Sequence, residues 1–445
     1  MDEIVKTEKE KNRSRYLQIL LLTTAGGAIY PMLYLRQIYQ DTMLSAFHIS
    51  NGQLGELYSI MGLLFFISYA PSGWLADKIK PMKLITISLL GTGILGLWYS
   101  TLPSFNALLA IYSGWGVTTG LTFWGAVMKR IKVLAGSHES GRFFGFYDGG
   151  RGLVESILAS IALFIFSMLV GANGENVTQG LVWVIHMYSW FCLALSAAFF
   201  ACIFFEKDQA GVSKEPEKQK KAANKTLLKD IIFILKQPEV WLIAIIISSG
   251  YHLFWSTYSF SGYLQTGGWG FTAVMAGTIT TIKLWLRPVG GIFGGYLGDK
   301  FGNIKMLTYA LILSVLGLIG LIYIPALHLF SSAVIGLCVF FILFVGLLTY
   351  AIRGLYWAII ENLKVPENKL GLAIGIISAM GYCPDIFIPL INGYIMDYAP
   401  DAKTGYQLYF GYTVLMASFG IVACYVLKRR AAGRPVATTS PLPAE

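Results

Sequence analysis

Charge of either sign is scarce in this sequence: of 445 residues only 13% are Asp, Glu, Lys or Arg, against roughly 25% in ordinary soluble domains, and 55% are apolar. Most of such a chain must face lipid. Cysteine is sparse too, and Cys192, Cys202, Cys338, Cys383 and Cys424 lie in apolar stretches without CxxC pairing or metal-ligand spacing. They read as packing residues. No GxxxxGK[ST] segment is present to power a nucleotide-driven pump, and no HExxH, GxSxG or Cys/His cluster offers a hydrolase site. The sequence predicts a protein that is not an enzyme and uses no cofactor or metal.

What is abundant is apolar residues in runs of about twenty, the length that crosses a hydrocarbon core of roughly 30 Å at about 1.5 Å per residue. Breaking the chain at polar, Pro and Gly clusters predicts helices at 17–46, 52–77, 82–102, 105–128, 141–168 and 181–205, then at 239–264, 271–299, 305–326, 331–360, 369–397 and 404–428. The expected fold class is an all-α membrane protein with twelve transmembrane helices in two pseudo-symmetric six-helix bundles. A charged N-tail (1–16) precedes the first bundle (17–205). A lysine-rich linker (206–238) joins it to the second (239–428), and a short C-tail (429–445) follows. The end of the linker, TLLKDIIFILKQ, is apolar enough to lie as an interfacial helix before Pro238.

The formal net charge of +10 could suggest a nucleic-acid partner, but its placement argues otherwise. Lys and Arg gather in the two tails and in every second loop, Lys403 alone occupies the opposite loops, and Arg36, Arg151, Lys283, Arg287 and Arg353 fall inside spans. This asymmetry predicts cytoplasmic termini and no nucleic acid. The first apolar segment exceeds a signal-peptide core and lacks a small-residue cleavage site, so it is expected to stay in the protein. A bacterial inner (plasma) membrane is the expected location, with lipid as the surrounding partner and a monomer as the expected state.

The two halves repeat. GWLADKIKPMK (Gly73 to Lys83) follows the second span and GYLGDKFGNIK (Gly295 to Lys305) follows the eighth, an offset of 222 residues. Gly73, Asp77 and Lys78 match Gly295, Asp299 and Lys300, which marks an internal duplication. A second correspondence, at an offset of 230, aligns GRFFGFYDGGRGLVES with GLAIGIISAMGYCPDI and pairs Glu155 with Asp385. Two carboxylates at equivalent depths are expected to face each other across the pseudo-two-fold axis.

The motif loops, the span count and the linker position resemble those of the major facilitator superfamily, whose signature is Gly-x-Leu-x-Asp-Arg/Lys-x-Gly-x-x-Lys/Arg. The resemblance covers the whole chain, with Pro81 displacing the usual glycine register in the first copy. It implies alternating access to a central site, and it implies a gate at the motif loops formed by Gly73, Asp77, Lys78, Gly295, Asp299 and Lys300. Within the family, Arg36 in a YxxR context is most similar to the sugar-phosphate and organic-anion permease branch, where a first-helix arginine binds the anionic group. That branch also carries an arginine in the seventh helix, where this chain has His252 and Leu253.

A cation at mid-bilayer costs roughly 2.5 to 3.5 kcal/mol on insertion scales, so each intramembrane charge needs a partner or a task. Asp148, Arg151 and Glu155 stack at i, i+3 and i+7 and are expected to pair along one helix face or to carry protons. Lys283 and Arg287, one turn apart, cannot neutralise each other; they need an acid such as Asp148, Glu155 or Asp385, or an anionic solute. Arg36 and Arg353 have no acid three or four residues away, and from opposite halves they are expected to grip an anionic group. Trp124, Trp255, Tyr258, Tyr356 and Trp357 are candidate lining residues. His252 and the carboxylates Asp148, Glu155 and Asp385 are candidate proton carriers.

The function these features predict is secondary active transport of a small polar, anionic organic solute, driven by protons or by solute exchange. A transporter-like solute sensor and a drug or metabolite exporter of the same fold are the alternatives.

Overall fold

The computed structural model describes residues 2–135, 140–171, 175–205, 229–327, 332–363 and 365–432, and every regular element among them is helical. The first set runs α1 (Asp2–Ala28), α2 (Arg36–Phe47), α3 (Asn51–Lys78), α4 (Pro81–Tyr99), α5 (Phe105–Trp115), a π-helical stretch (Gly116–Trp124), α6 (Gly125–Ala135), α7 (Ser140–Leu169) and α8 (Val177–Phe205). The second set runs α9 (Pro238–Ser256), a 3-10 turn (Thr257–Ser259), α10 (Phe260–Thr266), α11 (Ala273–Phe301), α12 (Asn303–Tyr323), α13 (Ser332–Leu355), α14 (Glu367–Tyr382), α15 (Pro384–Tyr398) and α16 (Ala402–Ala432). Most of the expected linker and the last part of the C-tail lie outside the described residues. The part of the expected interfacial segment that is described, 229–237, is helical over 229–235.

Eight helical segments are long and apolar enough to cross a membrane, or nine if α3, which contains Pro71, counts as one bent span. Their surfaces carry exposed Ile67, Phe164, Met168 and Val422, as lipid contact requires. Several expected spans, some of these eight included, are interrupted or charged. The predicted first helix, 17–46, is instead two helices with turns over 29–35. Pro31 has no N–H to donate, and the backbone there closes i to i+3 bonds such as Leu33 N–H to Tyr30 O at 2.9 Å. The expected fourth span widens into π-helix at 116–124, the seventh tightens into the 3-10 turn, and the eleventh breaks before Pro384. The N-tail is not separate from the first helix, because α1 already begins at Asp2.

The two sets share one continuous hydrophobic core, which includes Leu54, Tyr58, Trp255, Ile388 and Phe410. A second cluster, including Ile19, Ile85, Phe123, Ile131, Tyr147 and Phe199, is built from the first set alone and lies toward the motif loops. At that end the sets do not share their apolar interior.

Candidate functional site

The breaks in the helices converge on Arg36, which starts α2 directly after the 29–35 turns and is 2% exposed. Its Nε donates to Gln40 Oε1 at 3.3 Å, and its Nη2 reaches Ser259 Oγ at 3.5 Å and Asn392 Oδ1. Those last two partners come from the second helix set. Nη1 is buried and has no hydrogen-bond partner. A buried donor left unmet costs about 1–3 kcal/mol, more when charged, so this guanidinium is equipped for one further acceptor.

Aromatic rings wall the same region. Tyr34 stacks on Tyr58 at 5.9 Å and lies 5.6 Å from Tyr258, while Trp255 contacts Tyr258 at 5.0 Å and Tyr58 at 6.0 Å. Trp255 and Tyr258 were expected here; Tyr34 and Tyr58 were not. Trp124 lies beside the Arg151 guanidinium, 5.9 Å from its ring centre, whereas Tyr356 and Trp357 hydrogen-bond Tyr382 at 3.1 Å each.

The cations divide into paired and unpaired. Arg287 of α11 forms an ion pair with Glu155 of α7, across the two sets. The stripe expected along α7 is therefore corrected: Glu155 turns to α11, and the carboxylate left to Arg151 is Asp148 at 3.8 Å, whose side chain is 78% exposed. Nor do Glu155 and Asp385 meet as a pair. Asp385 accepts from Tyr251 OH at 2.8 and 2.9 Å and from Trp255 Nε1 at 2.8 Å. Lys283 is fully buried, with Nζ 3.1 Å from Thr257 Oγ1 and 3.2 Å from Thr257 O, and the Arg353 guanidinium sits 4.3 Å over the Phe254 ring. Among the described residues no carboxylate lies within ion-pair distance of Arg36, Lys283 or Arg353. His252 is held inside the second set, bonded to Ser248 O at 2.8 Å and to Tyr412 OH at 3.0 Å.

The two ends of the site differ. Away from the motif loops it is shut: Asp397 of α15 accepts from Ser50 Oγ (2.7 Å), Asn51 N–H (3.0 Å) and Gly52 N–H (2.7 Å) at the start of α3. A carboxylate on a helix N-terminus meets both its free N–H groups and its positive dipole end. Below that cap, Gly62 lies so close to α15 that a Cβ would come 2.6 Å from the Asp385 carbonyl oxygen. At the motif loops no such lock between the sets is seen among the described contacts. A Cβ on Gly73 or Gly295 would meet nothing within 4 Å. Asp77 pairs with Lys129 of α6 at 2.8 Å, within its own set, and Lys78 packs over the Trp74 ring at 4.2 Å. Asp299 and Lys300 are exposed, and Lys300 lies 5.4 Å from the Phe301 ring centre.

Sequence similarity decides the family: the Major Facilitator Superfamily model matches residues 16–384. The chain belongs to the major facilitator superfamily. Among its relatives in the superfamily is the inner membrane protein YihN of Escherichia coli (strain K12), 29% identical over 95% of this chain and 97% of that one. The D-galactonate transporter of E. coli O6:H1 is 22% identical over 86% of this chain and 89% of its own. Among solved structures, a bacterial homologue of the lysosomal transporter Spinster, inward-facing and unoccupied, aligns at a TM-score of 0.69 with 15% identity, covering 93% of this chain and 98% of that one. As a superfamily member the chain is an integral membrane protein and a solute transporter rather than an enzyme.

Sequence reasoning missed Asn392, Ser259, Tyr251 and Asp41. The first three act by contacts between distant segments that no local pattern reveals. Asp41 was within reach, since it closes the same MLYLRQIYQD segment that drew attention to Arg36.

Proposed function

We propose that the chain carries a small organic anion by alternating access between two six-helix bundles, with Arg36 as the principal anion ligand and Lys283 and Arg353 completing a cationic site lined by Trp255 and Tyr258. The observation that carries this reading is the buried, unmet Nη1 of Arg36 in a region where two further cations lack a carboxylate at ion-pair distance. Arg287 is placed outside the solute site because Glu155 already neutralises it. Trp124, Tyr356 and Trp357 belong to the walls. The likeness to a D-galactonate transporter supports a hydroxylated carboxylate as the solute class, because its acid group suits the guanidinium fork and its hydroxyls suit Asn392, Ser259 and the tyrosines.

With the termini cytoplasmic, as the distribution of Lys and Arg favours, the motif end opens inward and this conformation faces the cytoplasm. The outward-facing state would close the motif loops. Protons or exchanged solute supply the driving force.

Binding of D-galactonate and other sugar acids to purified protein, read as a rise in melting temperature, tests the reading. Arg36→Lys is expected to weaken binding at least tenfold while the unliganded melting temperature stays within a few degrees, since lysine offers no planar fork. Unchanged affinity with a depressed melting temperature would assign Arg36 to structure alone. Uptake into liposomes holding only this protein separates transport from solute sensing.

A further inference from the structure

The sequence Tyr382-Cys383-Pro384-Asp385 ends one helix and starts the next. Pro384 has no N–H to continue the ladder of α14, so α15 begins afresh with Asp385 in its first turn. Such a break lets α15 tilt without carrying α14 with it. Asp385 is 7% exposed, and among the described residues no cation lies within ion-pair distance of its carboxylate. Donors on α9 engage it instead. Trp255 Nε1 donates to Oδ1 at 2.8 Å, and Tyr251 OH reaches Oδ1 at 2.8 Å and Oδ2 at 2.9 Å. Hydrogen bonds to a carboxylate hold their donors more firmly than bonds between neutral groups.

Trp255 is the part of the aromatic wall that crosses between the sets. Its ring lies 6.2 Å from Tyr34 and 6.0 Å from Tyr58 of the first set, and Tyr58 OH in turn accepts from the Arg36 N–H at 3.4 Å. The main chain around Asp385 meets the first set from the other direction. A Cβ on Gly62 of α3 would come 2.6 Å from the Asp385 carbonyl oxygen, and one on Gly55 would strike the carbonyl of Pro389. Asp385 therefore touches the closing contact of the shut end with its backbone and the ring beside the anion ligand with its side chain.

We propose that Asp385 is a positioning residue, which sets the orientation of Trp255 and does so only while α3 is packed on α15. With the glycines of α3 seated, α15 is fixed and the carboxylate holds the indole N–H, so the ring stands ready against Tyr34 and Tyr58. When α3 parts from α15, α15 tilts at its proline break and the carboxylate leaves the indole. The ring then loses its orientation. The solute is gripped more tightly with the end capped by Asp397 shut than with that end open. The inference rests on Trp255 lining the solute site, but the link from α3 to Trp255 is tested without any solute.

The primary experiment is fluorine NMR of the full-length protein, labelled with fluorotryptophan and held in lipid nanodiscs. The Trp255 signal is the one missing from Trp255→Phe. Asp385→Asn should shift it, and so should Gly62→Val, which pushes α3 off α15 while leaving both bonding partners in place. In Gly62→Val combined with Asp385→Asn the signal should stay where Asp385→Asn alone puts it. A Trp255 signal unmoved by Gly62→Val would overturn the proposal, as would shifts that add in the combined variant. Melting temperatures verify folding; Gly55→Ala stands in for Gly62→Val, and Asp385→Glu for Asp385→Asn, where the first choice fails to fold. The second arm measures affinity for D-galactonate. Asp385→Asn and Trp255→Phe should each weaken it about fivefold, the weight of one hydrogen bond, and together no more than either alone. Losses that multiply would show the two residues acting apart and would overturn the positioning role. A wild type that does not bind D-galactonate counts against the solute reading, while the fluorine spectra still decide the link from α3 to Trp255.

Discussion

Both ends of this transporter involve α3, yet they hold the two sets in opposite ways. Where Asp397 caps α3, carboxylate, backbone N–H groups and glycine contacts lock α3 against α15. Around the motif loops Asp77 pairs with Lys129 inside its own set, and Gly73 and Gly295 face empty space. Glycine thus marks both ends, occupied at one and vacant at the other. The difference teaches that a helix face can be prepared for a contact it does not make in a given state.

The sharpest way to break the comparison is Gly62→Val. Its added carbons would collide with the Asp385 backbone, an overpacking cost of about 3 kcal/mol in this conformation. Distances between spin labels on α3 and α15 should show the shut end displaced, whereas Gly73→Val should leave those distances unchanged and slow only transport. Equal effects of the two substitutions would erase the distinction. Next in size is Glu155→Gln, which strands Arg287. The pair is not wholly buried, with side chains 15% and 21% exposed, so the expected loss is about 2 kcal/mol rather than the 3–5 of a fully buried pair, measured by thermal melting.

Asp397→Ala removes a cap shared between the sets and should cost about 1–2 kcal/mol, a shift of roughly tenfold toward opening at that end. Cysteine accessibility near Asn51 reports it. The smallest effect on stability belongs to Asp77→Asn. Asp77 is 74% exposed, and surface pairs contribute about 0–1 kcal/mol, so the melting temperature should barely change. Transport should still slow, because the residue's task lies in the state where the motif end is shut. Unaltered transport in this variant would argue that the motif acid only terminates a helix.

Much of this architecture was legible in the sequence because lipid enforces a simple code of length and hydropathy. The turns after Lys78 and after Phe301 fall where polar residues and glycine interrupt the apolar runs. The broken first helix was not legible, since Tyr30-Pro31 sits among apolar residues that satisfy the composition of a span without satisfying its backbone. Within the site, Arg36 announced itself as a charge in the wrong solvent. Its partners Asn392 and Ser259 did not, because uncharged polar residues are tolerated in membrane helices and reveal their purpose only when two distant segments meet. The partner of Arg287 was narrowed to three acids and resolved by helix packing alone.

The interrupted segment around Arg36 also bears on how the protein is made. With Pro31, Arg36 and Asp41 close together, 29–47 is poorly suited to enter the bilayer by its own hydropathy. The hydrogen-bond partners of the guanidinium at Ser259 and Asn392 emerge from the ribosome more than two hundred residues later. Until then the arginine must be sheltered by water, by the insertion machinery or by lipid headgroups. The first helix pair should therefore be among the last parts to settle at its final depth, and a nascent chain truncated before α9 would leave it straddling the membrane surface.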